Sequence, residues 1–302
     1  MTGQPRGAGG HRCALATPAP TGPGRKAAIE IDFVKLSPTQ NMTLLVRSRH
    51  PVRDYRPIAA ELLSVGHVHA EQVGFVRTPR SPAAQVRLHM AGDEFCGNAC
   101  MALAALTAAE LGLGVDDRTD VVLEASGADE FVTCRVERQD PDYYCRLAMP
   151  LPLRVEPYPI PGLDTGRSAL VRYRDSLHVV IESDRLDQET RDRAQAVATR
   201  LGATAGVPLI GVMLYDPGRR ELAPLVNVPS LSSVVWERSC GSGTASVGAY
   251  LATKARGPVR TSVHQPGGTM HVQADHDARG VTAVRVGGRV AIVAEGTAYV
   301  HA

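Results

Sequence analysis

Aromatic residues are scarce in this chain of 302 residues, where Phe, Trp and Tyr together make up 4%. That scarcity removes the stacking platforms that hold single-stranded nucleic acids. Charge of one sign is lacking too. Lys and Arg number 33 against 31 Asp and Glu, a formal net charge of +2. With no long basic run, neither nucleic acid nor an anionic membrane is expected as a partner. No apolar stretch approaches the roughly 18 to 20 residues that cross a bilayer. Residues 1–26 mix Gly, Pro, Ala and Arg, and their longest apolar patch, Cys13-Ala14-Leu15-Ala16, is too short for the core of a secretory signal. Such a segment buries too little surface to order itself and is expected to be a flexible tail. The protein is expected to be cytoplasmic, where thiols stay reduced. The cysteines, 6 in all, are too sparse for a disulfide scaffold and lack the C-x-x-C spacing of structural zinc. They are packing residues or chemistry.

What is present is the balance of an ordinary globule, 44% hydrophobic and 21% charged, in a length that suits two domains of about 130 residues each. Strand-like runs at 29–34 and 42–46 lead to a helical stretch at 58–65 and strands near 73–76 and 85–90. A small-residue helix follows at 99–111, closed by Gly112, where a C-cap is expected. Strands come next at 121–124, 130–138 and 143–149. A proline-dense passage from Pro150 to Pro161 marks the crossing into a second half, giving domains at 27–150 and 151–302, with the last strand free to cross back to the first. The second half repeats the order. A strand at 177–181 precedes a helix at 187–201, capped by Ser183 or Asp184; its charges over 185–200 are its wet face. Strands at 209–215 and 222–226 are joined by an Asp216-Pro217-Gly218 turn. A second small-residue helix spans 244–255 and ends at Gly257. The fold class is α+β, two pseudo-symmetric domains that each wrap a sheet around a central helix apolar on every side.

The duplication is sharpest where those helices begin. Cys96-Gly97-Asn98-Ala99 opens the first and Cys240-Gly241-Ser242-Gly243 the second. A helix start offers free backbone N–H groups and the positive end of the dipole, which bind anions. Glycine lets a ligand approach the backbone. The same environment is expected to lower a thiol's pKa from about 8.5 toward neutrality. Two such termini face to face would hold a carboxylate and set one sulfur on each side of its α-carbon. Loss of the α-proton puts charge on that carboxylate, where the N–H donors stabilise it. One sulfur, as thiolate, takes the proton, and the other, as thiol, returns one to the opposite face. The product has the mirror configuration, and neither metal nor cofactor is called for.

These motifs, with Asn41-Met42-Thr43 and Trp236-Glu237-Arg238-Ser239-Cys240, resemble the diaminopimelate epimerase superfamily, and within it the histidine racemase branch of staphylopine-type opine metallophore biosynthesis. The resemblance runs from Ile29 to the C-terminus. It implies a cleft between the two domains, Cys96 and Cys240 as the two bases, and Gly97, Asn98, Gly241 and Ser242 on the α-carboxylate. Asn41, His178 and Glu237 match substrate-lining positions, with Glu237 suited to the α-ammonium. Asp175-Ser176-Leu177-His178 stands where the epimerases read Gly-Asn-Pro-His. Two departures bear on the substrate. Met90-Ala91-Gly92-Asp93-Glu94-Phe95 is shorter than the epimerase run and lacks its asparagine, and Ser239 alone separates Arg238 from Cys240. A second carboxylate therefore has no evident partner, and histidine is the favoured substrate. The partners expected are a small amino acid and, at most, a second copy of the chain.

Rival readings remain beside this one. Diaminopimelate epimerase and proline or hydroxyproline racemase share the chemistry. An isomerase like the phenazine-biosynthesis branch would lack the cysteine pair, a thiol redox enzyme would want C-x-x-C, and an amino-acid-binding module would need no reactive thiols. Cys100, Cys134 and Cys145 read as packing residues and Cys13 as part of the tail. His67 and His69 read as the solvent edge of a strand rather than a metal pair. Glu237 and Arg238 could form a structural ion pair, Asn41 a turn and His178 a satisfied core histidine.

Overall fold

The computed structural model describes residues 28–160, 167–229 and 233–301; the expected tail at 1–26 lies outside them. The first half begins with β1 (Ile29–Pro38), whose alternating burial sends Ile31 and Phe33 to one interior. It continues through β2 (Thr43–Val46), α1 (Tyr55–Leu63), β3 (Gln72–Arg77), β4 (Val86–Met90), α2 (Gly97–Glu110), β5 (Arg118–Ala125), β6 (Val132–Gln139) and β7 (Asp142–Ala148). The second half runs β8 (Arg154–Pro157), β9 (Ser168–Arg172), β10 (Ser176–Glu182), α3 (Gln188–Thr204), β11 (Leu209–Asp216), β12 (Glu221–Val228), β13 (Ser233–Trp236), α4 (Gly241–Ala255), β14 (Val259–Gln265), β15 (Gly268–Asp277) and β16 (Gly280–Val300).

Strand pairing carries the duplication. From β1 to β7, successive neighbours pair antiparallel, parallel, antiparallel, parallel, antiparallel, antiparallel. The path β9, β10, β11, β12, β14, β15, β16 gives the same string. Both parallel steps need a crossover. α1 and α3 supply the first in each half, α2 and α4 the second.

The crossover helices differ because their sequences differ. α3 is amphipathic, and Ala194, Val197, Ala198 and Leu201 cover the outer face of β11 and β12. α1 lays Tyr55, Ile58 and Leu62 over Ile31, Leu44 and Phe75 in the same way. α2 has no polar stripe, and Met101, Leu103 and their neighbours are buried on every side. Such a helix is stable only when wrapped, and α2 and α4 share one core with the inner faces of both halves. Leu103→Ala in that core costs about 2–5 kcal/mol.

Several local expectations need correction. α3 is capped by Asp187, whose carboxylate accepts from Thr190 N at 3.0 Å, rather than by Ser183 or Asp184. The left-handed residue ending α4 is Arg256, φ 53°, one place before Gly257. His67 and His69 lie in the turn after α1, not on a strand, and His67 Nε2 is 3.0 Å from Tyr299 O. The proline-dense passage holds β8, and β9 follows beyond it; no alternation announced either strand.

β16, at 21 residues, is the longest strand. Its beginning pairs with β15, its middle with β7, and Val290–Val300 with β1. The last strand thus closes the sheet of the first half. Among the described residues, no helix is long and apolar enough to cross a membrane.

Candidate active site

Cys96 and Cys240 occupy equivalent places in the two halves. Each caps an inner helix with nearly the same backbone, φ −129° and ψ 107° at Cys96, φ −135° and ψ 113° at Cys240. Each sulfur accepts the N–H three residues on, Ala99 for one and Gly243 for the other, both at 3.3 Å. A thiol here does the work of an N-cap hydroxyl.

The two tips meet. A Cβ built on Gly241 would stand 3.1 Å from Asn98 Oδ1 and 3.7 Å from Asn98 N. A side chain at that point would crowd the opposite helix, and the Asn98 amide would have to give by a few tenths of an ångström. Two asparagines fasten the approach, since Asn98 Nδ2 and Asn41 Nδ2 both donate to Ser239 O, at 3.3 and 3.0 Å. Cys240 N donates to Gln265 Oε1 at 2.8 Å, which fixes the cap itself.

Glu237 lies close enough to both sulfurs to raise each thiol. The Cys96 thiol donates to Gln72 Oε1. The Gln72 side chain and the Cys240 thiol both stand beside the Glu237 carboxylate, and Cys240 Sγ is 3.4 Å from Ser242 Oγ. Gln72 was missed in the sequence, as was Glu71, whose Oε2 accepts from Asn41 Nδ2 at 3.0 Å. The available signal was an acid and an amide standing together at the mouth of an otherwise apolar strand. Thr43 pairs with Gln72 in the parallel β2–β3 ladder, so the Asn41 turn and Gln72 enter the site side by side.

Electrostatics correct one expectation. Burial pushes both thiols well above their ordinary range, and the Glu237 carboxylate adds to the rise at each. The helix N–H groups pull the other way, but desolvation outweighs them. Burial likewise lifts Glu237 to about 7, helped by the charge of Glu71, and Glu71 to about 7, opposed by a backbone hydrogen bond from Met42 and by Arg238. Arg238 does not pair with Glu237. Its guanidinium bonds Gln40 Oε1 at 2.6 Å and Pro266 O at 3.3 Å.

His178, on β10, lies against α4 one turn beyond its tip, at Ser246. Its ring is buried, with Nδ1 2.5 Å from Ser246 Oγ, and Tyr173 packs edge-on at 5.5 Å. Burial holds it at about 4, so the imidazole is neutral. Cys100, Cys134 and Cys145 are buried and free. Among the described residues no three His, Cys, Asp or Glu side chains gather as metal ligands would.

Buried polar atoms without partners mark what the site is built to hold. Asn41 Oδ1, Asn98 Oδ1, His178 Nε2 and Glu237 Oε2 are all unpaired. An unsatisfied buried acceptor costs about 1–3 kcal/mol, and four of them call for a ligand rich in donors. The helix tips next to them present N–H groups, the complement of an anion. A molecule with an ammonium beside a carboxylate answers both needs.

Comparison with known proteins agrees. The family described as histidine racemase CntK N-terminal domain matches residues 30–299. A histidine racemase of Staphylococcus aureus is 34% identical over 276 residues, which is 90% of this chain and 98% of the relative. One from Fusobacterium nucleatum is 27% identical over 273 residues, 89% and 97% of the two chains. Among solved structures, a hydroxyproline epimerase from Agrobacterium vitis with bound trans-4-hydroxy-L-proline has a TM-score of 0.67 at 12% identity, over 90% of this chain and 93% of that one. That last likeness is one of fold.

Proposed function

Since the chain belongs to the histidine racemase family and is an amino-acid isomerase, we propose that it interconverts L- and D-histidine with Cys96 and Cys240 as opposed acid and base. The observation that carries the reading is the pair of matched N-cap thiols on facing helix tips, with Gln72 Oε1 accepting from Cys96 and Glu237 beside Cys240.

In this reading the substrate carboxylate lies between the first turns of α2 and α4, at Gly97, Asn98, Gly241 and Ser242. Each tip contributes roughly half a positive charge, placed where the enediolate charge develops. The ammonium takes the unpaired acceptors of Glu237, Asn41 and Asn98. Pairing with Glu237 has a second effect. That carboxylate raises the Cys240 thiol, and a bound cation offsets its charge, so substrate itself eases formation of the thiolate. One sulfur then removes the α-proton while the other delivers its own to the opposite face. The thiols end with exchanged protonation. His178, neutral and bare at Nε2, serves as an acceptor and not as an acid. We read residues 27–150 and 151–302 as two domains, with β16 returning to the first.

The test is incubation of the purified protein with L-histidine in D2O, without added pyridoxal. Appearance of D-histidine carrying deuterium at Cα is the expected result. Binding without exchange would identify an amino-acid-binding module. Exchange with another amino acid but not histidine would keep the mechanism and move the substrate.

A further inference from the structure

The two thiols share a cap geometry, yet what lies behind them differs. One turn beyond Ser242, Ser246 Oγ donates to Ser242 O at 2.9 Å. A hydroxyl has one hydrogen and two lone pairs. With the hydrogen committed to Ser242, Ser246 Oγ accepts from His178 Nδ1 at 2.5 Å and from the Tyr173 hydroxyl at 3.0 Å. The acceptor Ser242 C=O belongs to the same peptide group as Gly243 N–H, and that N–H donates to Cys240 Sγ at 3.3 Å. Hydrogen bonds in series polarise one another. A donor on the carbonyl side of this peptide strengthens its N–H as a donor on the sulfur side.

The first half has no such series. The position equivalent to Ser246, six residues after the capping cysteine, is Ala102, buried among apolar neighbours. The Cys96 thiol donates to the Gln72 amide oxygen, an acceptor only, whereas Cys240 Sγ has beside it the Ser242 hydroxyl at 3.4 Å, a group able to donate.

We propose that Ser246, oriented by Tyr173 and His178, is a positioning residue that stabilises the thiolate of Cys240 through the Ser242–Gly243 peptide, so that of the two buried thiols Cys240 gives up its proton more readily and acts first as base. The proposal rests on reading the two cysteines as the acid–base pair. The ordinary role of a helical serine, bonding back to the carbonyl four residues earlier, accounts for the Ser242 contact alone. It leaves unexplained why two further donors from β10 and the β9–β10 turn converge on the same oxygen. The groups facing Cys240 are Glu237 from the segment before α4, Tyr173 from the β9–β10 turn and, at 3.4 Å, the uncharged Ser242 hydroxyl, which favours the thiolate directly. Gln265 from β14 touches its backbone and carries no charge. Glu237 opposes the thiolate, and the Ser246 series favours it.

The experiment measures iodoacetamide alkylation of Cys96 and Cys240 separately, by peptide mass mapping across a pH series, on the full chain. Ser246→Ala is expected to raise the pH midpoint of Cys240 by about one unit, a loss of roughly tenfold in its alkylation rate below the midpoint, with Cys96 within about twofold. Tyr173→Phe, which keeps the serine and removes one donor, should move Cys240 the same way by less. Ser246→Thr, which restores the hydroxyl, should bring the midpoint back. An unmoved Cys240 midpoint in folded Ser246→Ala overturns the proposal, as does an equal shift at Cys96. If Ser246→Ala does not fold, Tyr173→Phe decides, and no movement there overturns it. These readouts need no turnover. Failure of the racemase reading would appear instead as near-normal turnover in the cysteine variants.

Discussion

Gln72 and Glu237, from opposite halves of the chain, lie side by side; Gln72 Oε1 accepts the Cys96 thiol, and Glu237 stands next to Cys240. The pair sets one amide and one carboxylate against the two thiols, and the Glu237 charge raises each of them. Removing the amide should therefore disturb chemistry more than binding. Gln72→Ala is expected to lower kcat by about 10- to 100-fold with KM within about threefold, read by chiral chromatography of histidine.

Serine in place of either capping cysteine keeps an oxygen able to accept the same N–H, and serine is a favoured N-cap. Cys96→Ser and Cys240→Ser should both fold, with melting temperatures close to that of the parent. Racemisation should fall by at least 100-fold in each, the scale of losing a positioned acid or base. Circular dichroism and chiral chromatography check the two halves of this statement.

Gly241→Ala sets helix propensity against function. Alanine gains about 0.5–1 kcal/mol over glycine within a helix, but its methyl would stand 3.1 Å from Asn98 Oδ1. It enters the space between the helix tips, where the carboxylate is expected. The variant should melt no lower than the parent and show KM for histidine raised by at least tenfold. Isothermal titration with either enantiomer gives the same information without turnover.

Both Glu71 and Glu237 are raised to about 7 in the folded protein, chiefly by burial, against an ordinary value of about 4.3 in the unfolded chain. The folded state then binds more protons than the unfolded one between these limits. As far as these two groups decide it, stability is greatest below about pH 4.3 and is lost as pH rises through about 7. Glu237→Gln should flatten that fall in the ligand-free protein. Chemical denaturation at pH 5 and pH 7.5 measures it.

How far the sequence disclosed this arrangement depended on the range of each interaction. The helix starts at Cys96 and Cys240 were legible because their cues, a capping thiol followed by glycine and a small-residue run, are local. The apolar surround of α2 announced a wrapped helix for the same reason. The meeting of Gly241 with Asn98 followed from the duplication. Gln72 was not legible, because its role depends on the Thr43–Gln72 register and on Glu237, far along the chain. The thiol environment was misjudged. A helix tip is visible in sequence, whereas the depth at which it is buried is a property of the whole fold, and depth dominates. Asp187 displaced Ser183 and Asp184 as a cap because both of its carboxylate contacts to Thr190 form only once the helix begins there.

β16 has a consequence for the order in which the chain is made. Its last eleven residues, Val290–Val300, complete the sheet that Ile29 begins. During translation the N-terminal half must wait, with one flank of β1 open, until residues 290–300 have emerged from the ribosome. A fragment cut between the two halves would carry that flank exposed. The sheet around the first inner helix therefore closes only after the second half has been made.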